Sequence, residues 1–172
     1  LCGNLGAVAL VRALGGTAHG SFSLNVTNTA SLDFLQDLGL ASGEVSFELT
    51  ARETARLGGT LPRGLMVYGR QALMLVRNCP LANSPKGCLH CRKPGCLTDR
   101  KRKKFPVVCR DGESAEVLNS VPLWLGDLEK ELLSLDFGVA RFTVENSVEC
   151  GRVLDALFRG ETPDFAYTRG LF

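Results

Sequence analysis

What the chain lacks narrows it first. It has two histidines, His19 and His90, and contains neither H-E-x-x-H nor G-x-S-x-G. A zinc-protease helix needs two histidines one turn apart with a glutamate between them. A nucleophile elbow needs a serine framed by glycines, with a histidine to activate it. Classical hydrolysis is therefore not expected. No apolar run approaches the roughly 20 residues of a membrane span. The opening LCGNLGAVALVRALGG has no basic leader followed by an apolar core and a cleavage site. A cytoplasmic protein is the expectation. Net charge is only +2, too little for a global pull toward nucleic acid or acidic membrane.

What is present in excess is cysteine in one place. Five of the seven cysteines fall in NCPLANSPKGCLHCRKPGCLTDRKRKKFPVVC, spaced C-x8-C-x2-C-x4-C-x12-C at Cys79, Cys88, Cys91, Cys96 and Cys109. Two residues between thiolates let both reach one centre, and four-thiolate sets built on such pairs bind zinc or hold an iron–sulfur cluster. Five candidates compete for four places. A disulfide loop is the alternative, but it needs an oxidising compartment, and seven is an odd count. Unrelated free thiols are the third reading. His90, inside the C-x2-C pair, reads as a solvated loop residue. Cys2 and Cys150 lie on apolar segments and read as core thiols.

Periodicity gives the elements. Leu1–Gly3 reads as the tail of a strand and Asn4–Leu14 as a helix ended by Gly15-Gly16. Gly20–Val26 alternates like a strand, with Phe22, Leu24 and Val26 on one side. Ser31 opens a helix with Leu32, Leu35 and Leu38 inward, closed by Gly39. Glu44–Leu49 alternates again. Thr50 and Glu53 have the spacing of a capping box, so a helix should follow at once. LMVYGR marks a strand within 61–70. Phe105–Cys109 and Ala115–Asn119 flank Asp111-Gly112, a hairpin turn signal. A helix is expected over Val121–Leu135 with Gly138 as its cap, then a strand over Val139–Val144, then a helix capped by Asn146 and ended by Gly160.

Strands alternating with helices indicate an α/β protein with a mainly parallel sheet. Four such strands and a fragment are too few for a closed barrel, which needs eight and about 250 residues. The chain is either a smaller open layer or the C-terminal part of a longer barrel. Polar residues gather at the strand C-termini, where such folds carry their chemistry. Glu48 could act as a base or meet a cationic partner; it could equally face the dipole of the following helix. Tyr68 and Arg70 end the next strand. Arg70 could clamp a carboxylate or phosphate, or pair internally with Glu48. Asn25 and Asn28 could bind a ligand, though closing a turn before a helix is the commoner use. Arg100, Lys101, Arg102, Lys103 and Lys104 could grip phosphates or form a solvated turn; no aromatic residue interleaves with them for base stacking.

One set of segments carries a family resemblance. YGRQALMLVRNCPL, the GC-x2-C pair, LTDRKRKKFPVV and EVLNSVPLWL occur in that order, preceded by GNLG, SLNVTNTAS and SFELTARE and followed by YTRGLF. Together they resemble the collagenase-like peptidases of unassigned catalytic type, family U-32, over nearly the whole chain. The resemblance implies the second half of a (β/α) TIM-like barrel with a cysteine-rich insertion. The whole of 1–172 would be one partial domain, with a half-barrel at 1–78, a cysteine-rich loop at 79–109 and a C-terminal α/β segment at 110–172. Despite the peptidase name, it implies an iron–sulfur enzyme for oxygen-independent hydroxylation of RNA or a quinone precursor. Its 4Fe-4S cluster would sit on Cys79, Cys88, Cys91 and Cys109, with Cys96 as the alternate because relatives often place an aromatic residue there. Prephenate is the implicated hydroxyl source in the RNA branch. Partners implied are RNA or a small aromatic substrate. A metal-dependent peptidase and a structural zinc module are the competing readings. Catalytic roles are expected at Glu48, Tyr68 and Arg70, and cofactor contact at Asn25. Exposed barrel edges would favour a homodimer.

Overall fold

The computed structural model describes residues 1–82, 95–109, 114–128 and 135–169. The chain is mixed α/β, and neither sheet closes on itself among these residues. It divides into two compact units. The first comprises Leu1–Val67, Leu125–Ala140 and Arg169–Phe172, and the second Tyr68–Trp124 and Arg141–Thr168.

The first unit begins with α1, Leu5–Ala13, whose open amide at Ala7 is accepted by the Asn4 side chain. Only Val8 of this helix is buried, and Leu5, Leu10 and Leu14 stay exposed. Strand β1 (His19–Gly20) pairs in parallel with β2 (Ser42–Glu44), and β2 in parallel with β3 (Arg63–Gly69). The expected strand end at Leu1–Gly3 is an isolated bridge from Cys2 to Gly20. Between β1 and β2 lies α2, Thr29–Asp37, capped by Asn28 rather than opened at Ser31. It buries Leu32 and Leu35 in a core with Val8, Val26, Val45, Leu61 and Leu65. Helix α3, Ala51–Arg56, carries both halves of the expected capping box, Thr50 Oγ1 accepting the Glu53 amide and Glu53 accepting the Thr50 amide.

Three expectations fail here for local reasons. Gly20–Val26 is not a strand. Ser21 Oγ accepts the Ser23 amide, Phe22–Leu24 forms a 3-10 turn, and Asn25 turns left-handed at φ 52°. A serine and an asparagine each offer the backbone a local alternative to a ladder, and here they win. Glu44–Leu49 is likewise short. The strand stops at Glu44, Val45 makes a single bridge to Val26, and Phe47 and Glu48 lie in a turn stabilised by Ser46 Oγ. Gly138 does not cap a helix but lies inside β9, Phe137–Arg141, which pairs with β3. A Cβ there would sit 3.1 Å from the Val67 methyls, so glycine serves close strand approach.

The second unit holds a four-stranded antiparallel sheet, of which the sequence indicates only the two strands flanking Asp111-Gly112. Strands β4 (Ala72–Val76), β5 (Gly95–Thr98), β6 (Lys104–Cys109) and β7 (Ala115–Leu118) run in the order β4-β7-β6-β5. Much of the expected cysteine loop 79–109 is therefore sheet. Hairpin pairing of β6 with β7 agrees with the Asp111-Gly112 signal, though that turn lies outside the described residues. No helix begins at Val121. Leu123–Trp124 is a strand, β8, antiparallel to the end of β3 through Tyr68↔Trp124, and 129–134 lie outside the described residues. The expected strand ending at Val144 stops at Arg141. Helix α4, Ser147–Arg159, begins and ends as expected. Asn146 accepts the Val148 and Glu149 amides, and Gly160 closes it at φ 64°. No helix among the described residues is long and apolar enough to cross a membrane.

Candidate functional site

Alternation along the antiparallel sheet sorts the thiols. On β6, Phe105, Val107 and Cys109 share one face, because side chains alternate with period two. Cross-strand partners lie on the same face, so Ala115 opposite Cys109 and Val117 opposite Val107 belong with them. Val107, Ala115 and Val117 form a buried cluster against which Cys79, Leu81, Leu97 and Phe105 pack. Cys79 and Cys109 are thus on one face of the sheet. Cys96 pairs with Pro106, one position out of phase with Leu97↔Phe105, and is exposed on the other face.

Cys88 and Cys91 lie outside the described residues, as does His90. The described residues on either side of 83–94 come together. Leu81 lies so close to Gly95 that a Cβ on that glycine would fall 2.1 Å from Leu81 Cδ1. Leu81 is two residues after Cys79, and Gly95 pairs with Val107, two residues before Cys109. Among the described residues alone no three metal-binding side chains gather. Two of the four candidate ligands, Cys79 and Cys109, stand on one face. Two thiols on one face have the chemistry of soft-metal ligands.

The second feature is a cleft of about 400 Å³ in the same unit, bounded by the end of β3, the 120–122 segment and the first half of α4. Tyr68, Arg70, Glu145, Glu149, Arg152 and Asp164 supply its polar groups. Glu145 is the hub. Its Oε2 accepts the amides of Thr143 and Val144 at 2.7 and 3.0 Å, and its Oε1 accepts the Tyr68 hydroxyl at 2.9 Å. Arg70 Nε stands 3.8 Å from the same Oε1, with only 6 % of the Glu145 side chain exposed. Burial pushes the Glu145 carboxyl up, but the amides of Thr143, Glu145 and Val144 and the Tyr68 hydroxyl outweigh it, and the net displacement is downward. Burial, then the Glu145 charge, raises the Tyr68 phenol well above its ordinary 10.0. Arg70 also donates through Nη1 to the carbonyls of Asn119 and Ser120. An aromatic wall backs the group, with Tyr68 against Trp124, Phe142 and Phe165. Cys150 presents its thiol 4.0 Å from the Glu145 carbonyl and is half-buried rather than core.

The sequence reading placed Tyr68 and Arg70 at a strand end, and they line the cleft. Of the two roles open to Arg70, an internal pair with Glu48 is not formed, and the carboxylate beside it is Glu145. Glu48 is exposed in its turn. The strand-end carboxylate that is buried is Glu44, 3 % exposed, with Oε2 accepting the Phe22 amide. Asn25 is exposed and caps the 3-10 turn, and Asn28 caps α2, so both take the turn role. Glu145, Arg152 and Asp164 were missed. Glu145 stood immediately before a recognised helix cap at the end of an expected strand, the same logic that selected Glu48. His19 Nδ1 lies 2.8 Å from Ser42 Oγ, but the two are register neighbours on β1 and β2, and no carboxylate bonds the ring among the described residues.

No protein-family model, no curated protein and no solved structure matches this chain.

Proposed function

We propose that the chain is part of an iron–sulfur enzyme of the U-32 type, carrying out oxygen-independent hydroxylation of RNA or a quinone precursor. In this reading its parallel strands are the second half of a (β/α) barrel. The observation that carries the proposal is the sharing of one sheet face by Cys79 and Cys109, with Cys96 turned to the other. That is the partition expected if Cys79, Cys88, Cys91 and Cys109 ligate and Cys96 does not. A 4Fe-4S cluster bound there would supply one-electron chemistry. The thiols must deprotonate to bind it, and the packed β6–β7 face holds two of them in place before it arrives.

In the cleft, Glu145 remains a carboxylate and orients the Tyr68 hydroxyl and the Arg70 guanidinium. Phe165, Val121 and Pro122 give an apolar wall for a flat substrate. Arg152, exposed on α4, is free to meet an anionic group.

A structural zinc site is the second reading, favoured by the all-sulfur donor set. Purification without oxygen separates the two. A brown protein with iron and sulfide near four per chain supports the cluster; one zinc per chain with no iron replaces it with the second reading. A chain that binds neither metal ends both.

A further inference from the structure

The basic run at 100–104 is the strongest charged feature outside the thiol face and the cleft. Residues 99–103 connect β5 to β6, and Lys104 opens β6 opposite Thr98. Asp99 Oδ1 accepts the amides of Lys101 and Lys103, each at 2.8 Å. The Asp99 amide donates to the Lys103 carbonyl, and the Arg102 amide to the Asp99 carbonyl, both at 3.0 Å. The one acidic side chain in the turn is thus spent on its backbone. All five cations are exposed, and none has a side-chain hydrogen bond or ion pair among the described residues. Residues 99–104 carry a net +4 within a chain of net +2, so the remainder is net −2. The positive field is concentrated at one tip.

Arg102 sharpens the point. Its φ of 62° lies in the left-handed region, which disfavours residues other than glycine. Glycine would relieve that cost, and the position carries a guanidinium instead.

We propose that this hairpin tip is a docking surface for the phosphodiester backbone of a nucleic acid, with Arg100, Lys101, Arg102 and Lys103 meeting successive phosphates. Backbone phosphates require cations and nothing else from a protein. A protein partner would seek an aromatic or aliphatic anchor, and lasting membrane attachment an apolar side chain or acyl chain in addition to cations. The tip has neither: its flanking Leu97 and Phe105 pack onto the Val107 cluster. With no aromatic residue in 99–104 there is nothing to stack on bases, so the grip is indifferent to sequence. The surface is separate from the thiols and holds or fails whether or not iron binds.

The test is fluorescence anisotropy of the full chain with a labelled single-stranded oligouridylate across a salt series. Binding that weakens as salt rises is expected, with a log–log slope that loses about 0.7 for each cation removed. Arg100→Gln/Lys101→Gln/Lys103→Gln should bind more weakly by on the order of a hundredfold or more in about 50 mM salt. Arg102→Gly keeps the turn and removes one charge; it should bind more weakly with an unchanged or higher Tm. Equal affinity in both variants, or a slope of zero, overturns the proposal. So does tighter binding to polyglutamate or to phosphatidylserine vesicles than to the oligonucleotide.

Discussion

The Tyr68 hydroxyl donates to Glu145 Oε1 at 2.9 Å, joining the end of β3 to the residue before the α4 cap across 77 positions of sequence. Because the native Glu145 carboxyl titrates below the ordinary 4.5, it binds protons less readily when folded than when unfolded. Its contribution to stability is therefore complete above pH 4.5 and is lost as pH falls through the lower native value. Tyr68 behaves oppositely at the other extreme. Its raised native value means that stability present below pH 10.0 is lost as pH rises beyond it. Glu145→Gln should cost about 1–3 kcal/mol at pH 7 and flatten the acid limb of the urea-denaturation profile. Tyr68→Phe should cost about 1 kcal/mol and flatten the alkaline limb. An unchanged acid limb in Glu145→Gln would remove Glu145 as the hub.

The thiol partition gives a second expectation. Cys79→Ser, Cys88→Ser, Cys91→Ser and Cys109→Ser should each lower bound iron sharply in protein reconstituted without oxygen, while Cys96→Ser, Cys2→Ser and Cys150→Ser keep it. Iron lost with Cys96→Ser but retained in Cys109→Ser would reverse the assignment of faces.

How much of this could be read from the sequence follows from the range of each interaction. Thr50 with Glu53 and Asn146 with Glu149 were legible because a cap and its partner are three residues apart. Strand β3 was legible as a continuous apolar run because it is buried almost throughout. Gly20–Val26 misled because Phe22, Leu24 and Val26 alternate in sequence while Ser21 and Asn25 bend the backbone. Glu145 as partner of Tyr68 and Arg70 could not be read, since nothing local announces a contact across such separation. Of the antiparallel sheet only Phe105–Cys109 and Ala115–Asn119 were legible, because β4 is exposed along its middle and β5 is four residues long and opens on glycine.

Gly64 and Phe137 provide a packing test within the first unit. A Cβ on Gly64 would lie 2.1 Å from Phe137 Cε2, where no atom can stand. Gly64→Ala should destabilise by about 1–3 kcal/mol as the ring is displaced. Adding Phe137→Ala should recover part of that loss, so the double-mutant cycle should show a coupling of about 0.5 kcal/mol or more. Additive effects would mean that the ring is not the obstacle.

Removing the α4 cap should be mild in stability and visible in the cleft. Asn146→Ala leaves the amides of Val148 and Glu149 without their acceptor and should cost about 1 kcal/mol in chemical denaturation. Hydrogen exchange should speed up at the start of the helix and not at its Gly160 end. Uniform acceleration along the helix would argue against the Asn146 side chain as its anchor.

The seating of Leu81 on Gly95 has an engineering consequence. Because Leu81 already meets Gly95, the number of residues between them is a weak lever on the sheet, since doubling the length of a closed segment costs only about 0.6 kcal/mol. Spacers or reporter peptides grafted between 82 and 94 should leave the β5–β6 hairpin intact. The x8 interval after Cys79 is then adjustable by design, whereas the x12 interval from Cys96 to Cys109 is fixed by strand pairing.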